Sequence, residues 1–209
     1  MKFYDCHTAP SPRRVRIFLA EKGLDIDTVQ VDLGKGEQFV AEFRAVNPDC
    51  VVPVLQLDDG TCISEVSAIC QYVEDLHPEP PLLGTSPVQR ALVSMWNGKV
   101  EQLGLLAMMD AFRNSAKGLA GRALPGPEAY DQIPELAARG RKRVEHFFGR
   151  LNDQLATNTF LAGDAFSMAD ISAMVLVDFA GWVKIAIPDE ATHLERWYTV
   201  VAKRPSASA

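Results

Sequence analysis

The apolar positions of the first 76 residues follow two alternating patterns, one with the period of a strand and one with the period of a helix. Strand-like runs cover residues 2–6, 28–33, 54–57 and 61–63, and helical spacing covers residues 11–22, 37–46 and a segment that begins at Ser64 and Glu65. Asp58-Asp59-Gly60, between the last two runs, is typical of a hairpin turn. The order β-α-β-α-β-β-α predicts a small α/β unit with a mixed sheet.

A proline-rich connector, His77-Pro78-Glu79-Pro80-Pro81, precedes a second half with a different pattern. No helix continues through it, because proline lacks an N–H group and restricts the residue before it. Beyond Pro87 only helical patterns follow, over residues 88–117, 133–155, 168–182 and 191–202. We therefore predict an α/β domain over residues 1–77, a linker over 78–86 and an all-α domain over 87–209.

Two neighbouring features of the first half suggest binding. Pro53 interrupts the apolar run VVPVL, and a proline there belongs at a strand edge, a strand start or a tight turn. The helix that opens with Ser64 and Glu65 presents unpaired N–H groups and a partial positive charge, which hold carboxylates or phosphates. Together they predict a backbone site for a small peptide.

Composition narrows the function further. The 209 residues are 47% apolar, and the net charge of −6 argues against general binding of nucleic acid or anionic membranes. The four cysteines lack the spacing of a metal site or a disulfide framework, so we expect reduced thiols, no metal and a cytoplasmic location. No apolar run approaches the ~20 residues that would span a membrane.

Four motifs in one order resemble the cytosolic glutathione S-transferase family. They are VVPVL, a following Glu-x-Ser-Ala-Ile helix, the proline linker, and a Ser-x-x-Asp helix-capping box at Ser167 and Asp170. The likeness covers residues 1–205. It implies a thioredoxin-like N-terminal domain that binds glutathione, an all-helical C-terminal domain that shapes the pocket for a hydrophobic electrophile, and a homodimer.

The resemblance also implies a glutathione site, residue by residue. Pro53 corresponds to the family's cis-proline, and Val52 to the residue whose backbone pairs with the cysteinyl part of glutathione. Glu65 and the N–H of Val66 would meet the γ-glutamyl amine and carboxylate, and Gln38 would approach the glycyl end. Two plain alternatives remain open: Gln38 as a solvated helix residue, and Glu65 as a complement to the helix dipole.

The chain departs from the family pattern at two positions. Val66 stands where Ser or Thr usually follows the glutamate, and the hydroxyl is displaced to Ser67, so a hydrogen bond worth ~1.5–3 kcal/mol is lost or remade. Ala9 stands where the catalytic serine falls when the chain is aligned on Arg14 and Val15. The residue expected to lower the pKa of the glutathione thiol is therefore absent.

Several residues near the first helix are candidate replacements. Ser11 lies at the predicted helix start, where its hydroxyl either faces the thiolate or caps the helix. Cys6 and His7 end the first predicted strand and face either the pocket or the core. Tyr4 lies mid-strand and is expected to pack.

The chain also resembles a bacterial and fungal subgroup of transferases that lacks a Tyr, Ser or Cys activator. In that subgroup a water held by the helical domain is thought to stabilise the thiolate. The comparable segment here, residues 111–115, contains Arg113 and Asn114, with Asn114 where the subgroup is expected to carry histidine. Arg113 would act through its charge, or is a solvated residue at a helix end.

Apolar side chains on the first helix of the second half have two interpretations. Leu105, Met108, Met109 and Phe112 recur at helical spacing and would either line the electrophile pocket or belong to the core.

We predict a glutathione S-transferase that conjugates glutathione to hydrophobic electrophiles. The alternative, favoured by Ala9 and Val66, is a catalytically silent binding or regulatory module of the same fold. Disulfide exchange would require a cysteine at the start of the first helix, where Ser11 stands.

Overall fold

A computed structural model describes all 209 residues, which form two compact units. The N-terminal unit comprises Met1–Pro80 together with Pro125–Glu128 and Ser208–Ala209. The helical unit comprises Pro81–Leu124 and Ala129–Ala207. Two short pieces from the second half of the chain therefore belong to the N-terminal unit.

A four-stranded mixed sheet forms the frame of the N-terminal unit. Its strands are β1 (Lys2–Asp5), β2 (Asp27–Gln30), β3 (Val54–Gln56) and β4 (Cys62–Ser64), in the spatial order β2-β1-β3-β4. β1 and β2 are parallel, whereas β1 with β3 and β3 with β4 are antiparallel. This is the mixed sheet that the sequence predicts.

The helices of the N-terminal unit correct the sequence prediction at two points. They are α1 (Pro10–Glu21), α2 (Ala41–Val46) and α3 (Val66–Leu76). The prediction of one helix over 37–46 is wrong, because Glu37–Phe39 form a 3₁₀ turn and the backbone of Val40 is extended before α2. The strand predicted over 28–33 ends at Gln30.

Large apolar side chains from the sheet, α1 and α3 form the core of the N-terminal unit. Phe3, Leu55, Ile17, Phe18 and Ile69 are each at most 1% exposed. Complete burial of such a side chain is worth ~1.5–3 kcal/mol, so these contacts hold both helices on the sheet. A smaller cluster around Phe43 of α2 contains Val31 and Val54.

The helical unit contains five α-helices. They are α4 (Pro87–Lys99), α5 (Leu106–Arg113), α6 (Pro134–Leu155), α7 (Met168–Gly181) and α8 (Thr192–Val201). None of them combines the length and the hydropathy that crossing a membrane requires.

A π-helical segment, Val100–Leu105, joins α4 to α5 without a break in the helical backbone. Within it the carbonyl oxygen of Gln102 accepts a hydrogen bond of 2.7 Å from Nη2 of Arg143. The single long helix predicted from residue 88 is therefore present, with a wider turn in its middle and an end at Arg113.

Helix α7 lies at the centre of the helical unit and begins with the predicted capping box. The Asp170 carboxylate accepts hydrogen bonds from the N–H and hydroxyl of Ser167, at 3.1 and 2.9 Å. It also accepts from the N–H of Leu161 at 3.0 Å and the indole of Trp197 at 2.9 Å. Burial raises the pKa of this carboxyl from 3.8 to about 6, against the opposing effect of these four donors.

Candidate functional site

One end of the sheet gathers the segments that carry the predicted glutathione contacts. Because β1 and β2 are parallel and Tyr4 pairs with Val54 in antiparallel β3, the C-terminal ends of β1 and β2 lie beside the N-terminal end of β3. Pairing of Val54 with Ser64 brings the C-terminal end of β4 to the same edge. The β1–α1 loop, Pro53 and Glu65 therefore extend from one end of the sheet.

Val52 and Pro53 form a break in the backbone at this end. Their peptide bond is cis, as predicted, and buried Pro53 leads directly into β3. Neither the N–H nor the C=O of Val52 has a hydrogen-bond partner within the chain. Two free backbone groups next to a strand are what an added peptide strand requires.

Glu65 precedes α3 in an unusual backbone conformation, with φ 70° and ψ 128°. A non-glycine residue at such angles carries strain of order 1–3 kcal/mol. No side chain caps this helix end, so the N–H groups of Val66 and Ser67 remain available to an anion. A carboxylate that only complemented the helix dipole would not need this backbone conformation.

Gln38 is buried, at 3% exposure, and its Oε1 atom has no hydrogen-bond partner. The interpretation of Gln38 as a solvated helix residue is therefore wrong. The 3₁₀ turn that carries it begins after Gly36, which has φ 78°, and Oε2 of Glu37 accepts a 2.7 Å hydrogen bond from the N–H of Asp32. An unpaired buried acceptor costs about 1–3 kcal/mol, which a ligand donor would offset.

The start of α1 differs from the expected arrangement. Ala9 occupies the N-cap position and provides no side-chain cap, so the interpretation of Ser11 as the cap is wrong. Pro10 and Pro12 have no N–H, and Ser11 between them retains the one unpaired N–H of the first turn. Its half-buried side chain makes no hydrogen bond within the chain.

The other candidates near α1 have ordinary surroundings. The hydroxyl of Tyr4 donates to Oε1 of Gln56 at 3.2 Å, in agreement with a packing role. Cys6 is buried, with its Sγ atom 3.5 Å from Oγ1 of Thr8, whereas the side chain of His7 is exposed.

Both candidates in the helical unit are engaged in structural contacts. Arg113 donates to the carbonyl oxygens of Arg122 (2.7 Å), Ala123 (3.3 Å) and Leu124 (2.9 Å). Burial, followed by the nearby Arg122 charge, lowers its pKa. These contacts fix the loop after α5.

Asn114 is likewise buried and holds the backbone on both sides. Its amide nitrogen donates to the carbonyl of Asp110 at 3.1 Å, and its Oδ1 accepts from the N–H of Ile133, the N-cap residue of α6, at 2.9 Å. Its side chain is thereby committed to joining α5 to α6. The structure therefore gives no support to Asn114 or Arg113 as thiolate stabilisers.

The residues expected to line the electrophile pocket divide into two groups. Met108 is fully buried and belongs to the core, so its interpretation as a pocket residue is wrong. Leu105, Met109 and Phe112 are only partly buried. These three keep accessible surface that an apolar ligand could contact.

An aromatic cluster extends this surface and was missed by the sequence reasoning. The Phe112 ring contacts those of Phe179 and Trp182 edge to face, with both centroid separations 5.5 Å, and the latter two rings are 4.9 Å apart. Trp182 remains 52% exposed. The only sequence signal was the three-residue spacing of Phe179 and Trp182 at the end of α7.

Two family models match the chain. The glutathione S-transferase N-terminal domain matches residues 8–76, and the glutathione S-transferase C-terminal domain matches residues 101–205. The chain belongs to the glutathione S-transferase family. The predicted thioredoxin-like domain followed by a helical domain is thereby confirmed, and the protein is a glutathione transferase enzyme.

Relatives of this glutathione transferase cover nearly the whole chain. Glutathione S-transferase 2 of Saccharomyces cerevisiae is 38% identical over 99% of the chain and 87% of its own length. FtsZ-localized protein A of Caulobacter vibrioides is 31% identical over 94% of the chain and 84% of its own length.

Solved structures agree with this fold. A glutathione S-transferase domain-containing protein of Marinobacter aquaeolei has a TM-score of 0.91 at 40% identity, and covers 99% of each chain. Gtt2 of Saccharomyces cerevisiae has a TM-score of 0.90 at 37% identity, over 99% of this chain and 98% of its own.

Proposed function

We propose that this transferase conjugates the thiolate of glutathione to hydrophobic electrophiles, as a detoxification enzyme. The observation that carries the proposal is the pair of free backbone groups on Val52 beside cis Pro53, at the sheet end that also presents Glu65. These groups suit a short peptide with an anionic end rather than an isolated small molecule.

Each part of glutathione has a partner in this arrangement. Val52 pairs with the cysteinyl backbone, and the N–H groups of Val66 and Ser67 hold the γ-glutamyl carboxylate. Glu65 meets the γ-glutamyl amine. Gln38 is assigned to the glycyl end, because its buried Oε1 has no partner in the chain and a ligand donor would offset that burial.

Ser11 is the residue we assign to thiolate stabilisation. A thiol with a pKa of ~8.5 is only a few per cent ionised at neutral pH, and each unit of depression requires ~1.4 kcal/mol. Both the N–H and the hydroxyl of Ser11 lack partners in the chain, and the dipole of α1 adds to their effect. Arg113 and Asn114 have structural partners and are left out of this assignment.

The electrophile is assigned to the helical unit. Met109, Phe112 and half-exposed Trp182 offer an apolar, aromatic surface, which favours flat hydrophobic electrophiles. The Phe179 ring supports this surface from its buried side.

A titration of bound glutathione tests the proposal. Thiolate absorbance is followed against pH with and without saturating glutathione, and the apo curve removes the contribution of the four free cysteines. We expect the pKa of the bound thiol to lie at least about one unit below ~8.5.

Ser11→Ala tests the assignment of Ser11. It should leave the dissociation constant of glutathione within about twofold, raise the pKa of the bound thiol and lower kcat about tenfold or more.

Either part of this result can fail on its own. A lowered pKa that Ser11→Ala leaves unchanged would remove Ser11 from the mechanism while retaining the transferase. Glutathione that fails to bind, or that keeps its solution pKa, would contradict the proposed activity.

A catalytically silent binding or regulatory module is the second candidate function. Ala9 and Val66 lack the family's hydroxyl groups, and the helical-unit candidates are structurally engaged. The resemblance to FtsZ-localized protein A, a name that refers to localisation rather than catalysis, favours it as well. A solution-like thiol pKa in the titration would select this function.

We further propose a cytoplasmic homodimer. Val88, Leu92 and Met95 are exposed at 69%, 37% and 43% and lie four and three residues apart, on one face of α4. An apolar face of this kind on a helix supports association with a second copy. The four free cysteines support a reducing compartment.

A further inference from the structure

The peptide between Cys6 and His7 is held from two sides just before α1. The N–H of His7 donates to Oε1 of Gln30 at 2.9 Å. Nη2 of Arg16 donates to the carbonyl of His7 at 3.0 Å, and Nη1 of Arg16 lies 3.4 Å from the carbonyl of Cys6. Both backbone polar groups of His7 are therefore held by side chains from other elements.

Buried Asp5 joins the two side chains. Its Oδ1 pairs with Nη1 of Arg16 at 2.6 Å, and its Oδ2 accepts from Nε2 of Gln30 at 2.5 Å. Asp5 is only 1% exposed, and each of its carboxylate oxygens accepts a hydrogen bond from one of these partners. Asp5 ends β1, Gln30 ends β2 and Arg16 lies in the second turn of α1, so three elements meet at this carboxylate.

We propose that Arg16 and Gln30 are positioning residues, which act through the loop that ends at Ala9 and leads into Ser11 of α1 to preorganise the thiolate site. This inference rests on the proposed function. The loop has no cap of its own, because Ala9 provides no side-chain hydrogen bond and two prolines remove backbone donors. The loop closes one turn of its own, through the N–H of Ala9 and the carbonyl of Cys6 at 2.9 Å. The Asp5 network holds that turn at the ends of β1 and β2.

The test variants are chosen so that an effect on positioning can be distinguished from a loss of stability. Gln30 is exposed on edge strand β2, so Gln30→Ala opens no cavity, and Asp5 keeps its ion pair with Arg16. We therefore expect this variant to fold. Arg16→Lys keeps the positive charge beside Asp5. Its single ammonium group cannot reproduce the two guanidinium contacts, one to the Asp5 carboxylate and one to the His7 carbonyl. Both variants should move the pKa of bound glutathione while leaving its binding groups, Val52 and Glu65, intact.

Two matched controls come from the helical unit. Gln154→Ala removes a side-chain hydrogen bond of 2.8 Å to the carbonyl of Leu161. Arg196→Lys removes a guanidinium contact of 2.7 Å to the carbonyl of Leu155. These exchanges repeat the chemistry of the test variants where no thiolate contact is proposed.

The experiment measures the pKa of bound glutathione, the pH profile of kcat, and KM for glutathione in all five proteins. We expect Gln30→Ala and Arg16→Lys to raise the thiol pKa by at least half a unit and to lower kcat three- to tenfold at pH 6.5. The loss should shrink to less than twofold near pH 9, where the thiol is ionised in every protein, and KM should change less than twofold.

Three results would overturn the inference. If the wild type lowers the thiol pKa and both test variants do so equally, the network has no positioning role although the transferase stands. If the controls shift the pKa as much as the test variants, the effect is general destabilisation. If the wild type itself fails to lower the pKa, the proposed function fails and the inference fails with it.

Discussion

The strained backbone of Glu65 is the most specific residue-level mark of the site. Glycine adopts φ 70° without a Cβ penalty, so Glu65→Gly should raise the free energy of unfolding by about 1 kcal/mol. The same change removes the carboxylate proposed to hold the glutathione amine, and should weaken binding ten- to a hundredfold. Chemical denaturation and titration calorimetry measure the two effects.

Glu65→Gln is the matched control for this prediction. It keeps the strained backbone and removes only the charge, so stability should stay within about 0.5 kcal/mol while affinity falls. Unchanged affinity in both variants would mean that Glu65 makes no contact with glutathione.

The first turn of α7 depends on a single buried carboxylate. Asp170→Asn replaces an acceptor with an NH₂ group that faces donors from Leu161, Ser167 and Trp197, so we expect a loss of about 3 kcal/mol at neutral pH. Equilibrium denaturation of both proteins measures this loss. A loss below about 1 kcal/mol would show that the cap contributes little.

The pH dependence of Asp170 has a definite sign. Its pKa is about 6 in the folded protein and near 3.8 unfolded, so the folded state binds the proton more tightly. The stability that this group contributes is complete below about pH 4 and is lost as the pH rises through about 6. The advantage of the wild type over Asp170→Asn should therefore shrink by about 2 kcal/mol between pH 4 and 7. If the advantage of the wild type instead grows as the pH rises, the four hydrogen-bond donors affect the pKa of Asp170 more strongly than burial does.

Helix α6 contains two glycines with opposite surroundings. A Cβ on Gly140 would lie 2.5 Å from the carbonyl oxygen of Ala107 and 2.7 Å from the nitrogen of Ala111, whereas a Cβ on Gly149 meets nothing within 4 Å. Gly140→Ala should destabilise the protein by about 3 kcal/mol, because α5 must move. Gly149→Ala should stabilise it by about 0.5–1 kcal/mol through helix propensity. Thermal unfolding of both variants measures these changes in stability. Equal changes in the two variants would contradict the close approach of α5 and α6 at Gly140.

At the scale of the whole molecule, the exposed face of α4 predicts a dimer. Met95→Glu introduces a charge into the apolar face formed by Val88, Leu92 and Met95, and should convert the dimer to a single chain in light scattering. Val200→Glu, at a residue of α8 that is 54% exposed, is the control and should leave the mass unchanged. If Met95→Glu has the same mass in solution as the wild type, this face of α4 does not form the interface.

The sequence predicted which segments form elements better than it predicted where the elements break. The pattern of apolar and turn residues located all four strands and the principal helices, since burial on one face leaves a periodic record in most of them. β2 was located although its residues are largely exposed. Segment 37–46 failed because the change from a 3₁₀ turn to α2 depends on the extended backbone of Val40. The π-helical turn at Val100–Leu105 left no comparable signal.

The sequence by itself determined the strand and helix patterns of the two halves, the proline turn at Val52 and Pro53, and the capping box at Ser167 and Asp170. It also determined that residue 9 has no hydroxyl. Each of these features depends on residues that lie close together in the chain. Only the tertiary structure decided which polar groups have partners. It buried Gln38 with an unpaired oxygen, engaged Asn114 in the join between α5 and α6, and brought Arg16 and Gln30 together on Asp5. Hydrogen-bond partners distant in sequence are set by packing, and packing leaves no local pattern to read.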